Sequence, residues 1–333
     1  MKKSSDIIFV LLILLVVVIH FTGCKKPVNP IKYTQGTFPD SVYNLKGLNT
    51  QYDDYNSNIY SLGSSFPIIF SSNRGSSGGQ FDLVQGSIIF QFNQTTGAFS
   101  VAGNMLNDPF LNSLISKANT TGNDFGPLTF FSSTDGYDYL MLASQTGTGP
   151  LGLYYLKYQP QYNNNLPVIL GPYPVKLLNS GKNDAYISFN TDEDSAYFTS
   201  DRNGNYDIFL HKRTAATLLE TWLNQNFTAS TPVDSVNSTF DDKCPFVYKN
   251  IMLFTSNRPG GMGGYDLYYS ILKNGKWNSP VNLGPRFNTI SDEYRPLLGY
   301  HPDYKNLFMI FSSNKSGGSG GFDLYFTGFN TPR

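Results

Sequence analysis

The chain has 333 residues, and its 24 lysines and arginines are balanced by 24 aspartates and glutamates, a formal net charge of zero. That balance excludes a nucleic-acid surface, which needs a basic stripe to displace counterions. Only two cysteines and three histidines are present, which excludes a disulfide framework and argues against histidine-built zinc sites and Ser-His-Asp catalysis.

Residues 1–23 read as a targeting segment: Lys2 and Lys3 precede an apolar run from Ile7 to Ile19, too short to span a bilayer. The run ends in Phe21-Thr22-Gly23-Cys24, which resembles the lipobox of bacterial lipoproteins. The resemblance implies lipidation of the Cys24 thiol and cleavage before it, and several acyl chains hold a domain on a membrane almost irreversibly. Residues 24–37 then form a lipidated amino terminus and tether, with Pro27 and Pro30 favouring an extended chain. Lys25 follows the cysteine, so the expected address is the outer membrane, facing the periplasm or the cell surface.

Residues 38–333 carry an internal repeat. Phe70–Leu83 reads FSSNRGSSGGQFDL, Phe198–Phe209 reads FTSDRNGNYDIF, Phe254–Ser270 reads FTSNRPGGMGGYDLYYS and Phe311–Phe326 reads FSSNKSGGSGGFDLYF. Each copy is a short aromatic strand, a basic residue (Arg74, Arg202, Arg258, Lys315), a glycine-rich turn, and an aspartate (Asp82, Asp207, Asp266, Asp323) opening the next strand. A polar box precedes each copy: Asp53-Asp54, Asn123-Asp124, Asn183-Asp184, Asp241-Asp242 and Asp292-Glu293. The second repeat is degenerate, with Gly152 at the aspartate position.

Four short strands are legible per repeat. In the fourth they include Ile251–Ser256, Tyr265–Leu272, a hairpin turn at Asn274-Gly275 and an outer strand from Trp277 to Leu283. Four-stranded units that cannot bury both faces alone must stack on neighbours, so the fold class is an all-β propeller. The last repeat lacks its outer strand, and Val42-Tyr43-Asn44-Leu45 matches Val281-Asn282-Leu283. Residues 38–48 are therefore expected to close the ring, giving five blades, with six as the alternative. Two insertions break the period, at 104–122 and 213–226, the second with Ala215, Leu218, Leu219, Trp222 and Leu223 at helical spacing.

The motifs FTSNRPGGMGGYDLYY and SDEYRP resemble the WD40-like (PD40, TolB-type) propeller repeat of bacterial envelope proteins. The similarity covers about residues 38–329 and implies a non-catalytic, lipid-anchored protein whose propeller binds or scaffolds a protein or peptide. A glycan-binding lipoprotein is the alternative. A five-bladed glycoside hydrolase ranks below it, and would require non-repeating carboxylates to converge on the channel.

No cofactor or metal is expected. The recurring acids and their basic partners read as structural, capping turn amides or forming ion pairs. Asp192, Glu193 and Asp194 break the repeat and read as a solvated hairpin tip. Asp201 to Asp207 has oxygen ligands at alternate positions, but its glycine and the Lys212 at the twelfth position do not fit a calcium loop. Tyr137, Tyr139, Tyr158 and Tyr162 are candidates for stacking on sugars, and Cys244 reads as a buried small side chain.

Overall fold

A computed structural model describes residues 31–59, 66–159, 167–214 and 217–332; the proposed targeting segment, Cys24 and Tyr162 lie outside them. Five antiparallel sheets follow one another. Blade 1 runs outward through β2 (Asp54–Ile59), β3 (Phe66–Ser72), β4 (Asp82–Phe92) and β5 (Phe99–Met105). Blade 2 comprises β6 (Asp124–Ser132), β7 (Tyr137–Gln145), β8 (Leu151–Tyr158) and β9 (Leu170–Pro174). Blade 3 comprises β10 (Asp184–Phe189), β11 (Ser195–Ser200), β12 (Asp207–Lys212) and β13 (Thr231–Pro232). Blade 4 holds β14 (Asp242–Tyr248), β15 (Ile251–Ser256) and β16 (Asp266–Lys273). Its outer strand is split into β17 (Lys276–Trp277) and β18 (Val281–Asn282), because Pro280 has no N–H to give the ladder. Blade 5 comprises β19 (Glu293–Gly299), β20 (Leu307–Ser313) and β21 (Asp323–Phe329), completed by β1 (Tyr43–Asn44).

The innermost strands β2, β6, β10, β14 and β19 touch in that order, and β19 touches β2 again, so the ring is closed. Strands β3, β15 and β20 are buried along their whole length. They are covered by neighbouring blades on both faces, which is why they read as unbroken apolar runs such as Leu307-Phe308-Met309-Ile310-Phe311.

The seam is made by the amino-terminal segment. Tyr43 pairs with Phe326 and Asn44 with Tyr325. Ahead of them the Phe38 ring, 1% exposed, stacks on Tyr304 at 3.8 Å and meets Phe90, Phe99, Phe308 and Phe326 edge-on. Its backbone is clamped by the Asn306 amide, which accepts from Phe38 N–H at 2.8 Å and donates to the Phe38 carbonyl at 2.9 Å. Upstream, Lys32 and Tyr33 donate to the Gln94 carbonyl and Gly36 to the Asp303 carbonyl. The segment therefore reaches the ring on the face opposite the glycine-rich turns.

Both insertions carry helices. Helix α1 (Pro109–Ala118) is N-capped by Asp108, which accepts from Leu111 N–H at 2.8 Å, and buries Leu111, Leu114, Ile115 and Ala118 between blades 1 and 2. Helix α2 is shorter than the spacing suggests, Leu219–Leu223, with Leu218 exposed outside it.

In three blades the basic residue of the repeat reaches the second acid of the box. Arg202 Nη2 lies 2.6 Å from Asp184 Oδ1 and 2.8 Å from the Leu178 carbonyl, and Arg74–Asp54 and Arg258–Asp242 repeat the arrangement. Asp266 accepts from the N–H groups of Met262 and Gly263, and Asp323 from Ser319 N–H. Asp82 and Asp207 take the side-chain amides of Gln80 and Asn205. Lys315 departs from its arginine counterparts, its Nζ lying over the Tyr325 ring at 3.9 Å.

Blade 2 has Thr146 where the others have the cation. Asp124, fully buried, is left with Thr120 and Ser144 as partners, and burial pushes its carboxyl up to about 6. The folded value exceeds the unfolded value of about 3.9. This group's contribution is therefore fully present below pH 4 and is lost as pH rises through about 6. Asp124→Asn should remove that loss, so its stability relative to the parent should improve by about 2 kcal/mol between pH 4 and pH 7. Denaturant titrations at both pH values check this; a constant difference would refute it.

Candidate functional site

Each inner strand enters the channel from the face of the glycine-rich turns, and each breaks its ladder two residues in. The residue at the break has left-handed backbone in all five: Asn56, Gly126, Tyr186, Cys244 and Arg295, with φ between 43 and 59°. Such bulges re-aim side chains. Gly126 is required here because a Cβ would lie 2.6 Å from Tyr186 Cδ1; its absence lets the Tyr186 ring occupy the channel.

Above that ring the channel mouth is an aromatic cup. A cavity of about 340 Å3 is lined by Tyr55, Phe81, Tyr186, Tyr265, Tyr294 and Phe322, together with Asp53 and Asp292. Tyr55 stacks on Phe322 at 5.5 Å and meets Phe81 at 5.1 Å, while Tyr294 meets Tyr265 at 5.0 Å. Burial raises the phenols of Tyr55, Tyr186 and Tyr294, so they remain neutral hydrogen-bonding groups. One wall is polar. Lys243 donates to the Tyr265 hydroxyl at 2.9 Å and lies 3.1 Å from Asp241 Oδ2, which also accepts from that hydroxyl at 2.7 Å. Burial would raise Asp241, but Tyr265, the Tyr206 N–H and Lys243 outweigh it and hold the carboxyl below its ordinary value.

The first residue of each box does the same job in every blade. Its Oδ1 accepts the N–H of a residue in the preceding blade: Asp53 from Phe322 at 2.8 Å, Asn123 from Phe81 at 3.0 Å and Asn183 from Leu151 at 3.0 Å. Asp241 accepts from Tyr206 at 3.1 Å and Asp292 from Tyr265 at 2.8 Å. Asparagine performs this clasp in blades 2 and 3, so the fold requires an oxygen and not a charge. The carboxylates at Asp53, Asp241 and Asp292 are thus surplus to it, and they stand in the contiguous blades 4, 5 and 1. At Asp53 and Asp292 the second oxygen has only a long contact, to Asn73 at 3.4 Å and Asn314 at 3.3 Å.

Several sequence expectations are corrected by this geometry. Tyr139 and Tyr158 are buried within blade 2, and Tyr137 carries the Lys157 ammonium 4.1 Å from its ring centre. The aromatic surface lies instead on residues flanking the box and the motif aspartates. Asp192 is exposed, but Glu193 accepts from Ser132 at 2.9 Å and sits 3.6 Å from the buried Arg213, and Asp194 caps Ser195. The stretch is a bridge between blades 2 and 3, not a solvated tip. Asp201 is bound by the N–H and amide of Asn183. Cys244 is buried as expected, at a place in the channel that the sequence did not indicate, and burial pushes its thiol up to about 12.

No protein-family model and no curated protein matches the sequence. Solved structures share the fold. A thermostable family-43 glycoside hydrolase is 13% identical with a TM-score of 0.53, the match covering 84% of this chain and 90% of that one. The endo-arabinase from Bacteroides thetaiotaomicron is 12% identical with a TM-score of 0.52, covering 89% and 98%. The alpha-L-arabinofuranosidase from Lactobacillus brevis is 10% identical with a TM-score of 0.51, covering 87% and 97%. Identity this low establishes the propeller fold alone. It also corrects the resemblance drawn from the repeat motif: these neighbours are glycan-cleaving enzymes and not TolB-type envelope propellers. The expectation of a non-catalytic scaffold for a protein partner falls with that resemblance.

Proposed function

We propose that the protein is a glycoside hydrolase that seats one sugar unit in the aromatic cup, with Asp53 and Asp292 as its reactive carboxylates. The observation that carries this is the surplus charge at Asp53 and Asp292, which the interblade clasp does not need and which faces an aromatic cavity. Aromatic faces pack on the C–H faces of a sugar ring, and neutral tyrosine hydroxyls offer donors and acceptors to its hydroxyls. A pair of carboxylates is the minimal equipment for glycosidic hydrolysis. One protonates the leaving oxygen, while the other activates water or attacks the anomeric carbon, so that the elements of water are added across the bond.

Two of the fold neighbours are named an endo-arabinase and an alpha-L-arabinofuranosidase, which sets the first substrates to test. Purified protein incubated with arabinan, arabinoxylan, xyloglucan and aryl furanosides and pyranosides should release new reducing ends from at least one. Binding without release would reduce the proposal to glycan recognition. Neither binding nor release would overturn it.

A further inference from the structure

On the face opposite the cup, blades 4 and 5 leave a cavity of about 700 Å3 between the β14–β15 hairpin, the β19–β20 connection and the segment after β21. Two lysines, Lys249 and Lys305, line it, and among the described lining residues there is no aspartate or glutamate. Both lysines are exposed, and among the described residues neither has an ion-pair partner, in contrast to Lys157 and Lys243. Asp303, the acid closest to Lys305 in sequence, lies beside His301. Two uncompensated cations therefore border one space in a chain of zero net charge. Tyr248 and Tyr300 line the same space, and Tyr300 is 57% exposed.

Both cations stand on fixed backbone. The Lys305 N–H donates to the Gly36 carbonyl at 3.0 Å, and Asn306 beside it clamps Phe38. Lys249 opens a two-residue hairpin, since Tyr248 pairs with Ile251, and its φ is 55°. Glycine or asparagine suits that conformation and lysine does not. The same blade closes its outer hairpin with Asn274-Gly275, the pair such turns prefer. Lysine at 249 is thus poorly chosen for the turn, which directs attention to what its ammonium meets.

We propose that this cavity binds an acidic oligosaccharide, with Lys249 and Lys305 meeting uronate carboxylates and Tyr300 packing on a sugar ring. Its volume falls within the roughly 300–1,000 Å3 of small-molecule sites, far more than a free phosphate or sulfate fills. An exposed tyrosine ring offers a face for sugar C–H groups, for which an inorganic anion has no use. The cavity is remote from the cup, so this binding does not depend on the cup's chemistry.

Calorimetric titration of the intact protein with trigalacturonate should show saturable binding. Its neutral counterpart galactotriose should bind at least roughly tenfold more weakly, because it keeps the ring faces and loses the charges. Lys249→Gln and Lys305→Gln should each weaken trigalacturonate binding by roughly three- to tenfold. Tyr300→Ala should weaken the binding of both sugars. Lys249→Gly should weaken trigalacturonate binding as Lys249→Gln does, without lowering the melting midpoint, since glycine suits the turn. A lower midpoint with unchanged affinity would assign the lysine to the fold and overturn the inference. So would no binding of trigalacturonate, equal binding of galactotriose, or displacement of trigalacturonate by inorganic phosphate at equal concentration.

Discussion

Asp53→Asn and Asp292→Asn should each lower turnover of the responsive glycan by about 10²–10⁴-fold, the usual contribution of a positioned acid or base. Neither should move the melting midpoint by more than ~2 °C, because the substitution reproduces the side chain that already performs the clasp in blades 2 and 3. Asn123 and Asn183 hold the preceding blade at 3.0 Å with an amide oxygen, and an asparagine at 53 or 292 would meet the same N–H. The amide removes the charge and the ability to move a proton, and it exchanges only the long contact to the Asn73 or Asn314 amide. Turnover and thermal denaturation measured on the same preparations separate the two roles. Full activity in both variants would remove Asp53 and Asp292 from the chemistry. A large loss of stability would show that the charge serves the fold after all.

Phe38→Ala should cost about 3–5 kcal/mol, the range for emptying a packed aromatic site. Phe38 meets five rings contributed by blades 1 and 5, while the strand that follows it pairs over only Tyr43 and Asn44. The seam is also held by buried Leu45 and Leu48 and by Asn49, whose amide bonds both backbone groups of Leu324, so the loss is that of one packed aromatic and not of the whole closure. Removing the ring leaves a cavity that rigid strands on both sides cannot fill by collapsing. Urea denaturation, with its slope compared to the parent's, reads the cost. A loss below about 1 kcal/mol would show that the amino-terminal segment lies outside the cooperative unit.

The architecture was open to reading because a propeller repeats its physics. Each blade needs a doubly buried second strand, a turn supplied with glycine and an anchored box, so the same residue types return at each turn of the ring. The missing outer strand after Phe329 and its match at Val42–Leu45 made closure visible as well. The cup was less accessible. Its aromatics stand beside the repeat acids, at Tyr55, Phe81, Tyr265, Tyr294 and Phe322, and in a linear reading they merge with the aromatics that fill the blades. Tyr186 is harder still, since its ring enters the channel only because residue 126, sixty positions away, is glycine.

Recurrence pointed to a structural role, and the box residues do clasp neighbouring blades. Reading the box acids as structural accounts for the clasp oxygen, and the alternation of Asp and Asn at 53, 123, 183, 241 and 292 is the further signal on which the proposal rests. The alternation is matched across each blade: Asp53 and Asp292 face the amides of Asn73 and Asn314, while Asn123 and Asn183 donate to Gln145 and Asp201. Sequence alone shows the alternation; only the ring shows that the charged members are neighbours.

The seam also settles how the molecule can be held. The first described residues approach the ring beside Gln94 and Asp303, whereas every residue lining the cup lies within three residues of the start of a strand on the other side. Handle and mouth are therefore at opposite ends of the short axis of the ring. A contact made to residues 31–36 leaves the mouth unobstructed, and the vessel stands open to whatever diffuses toward it.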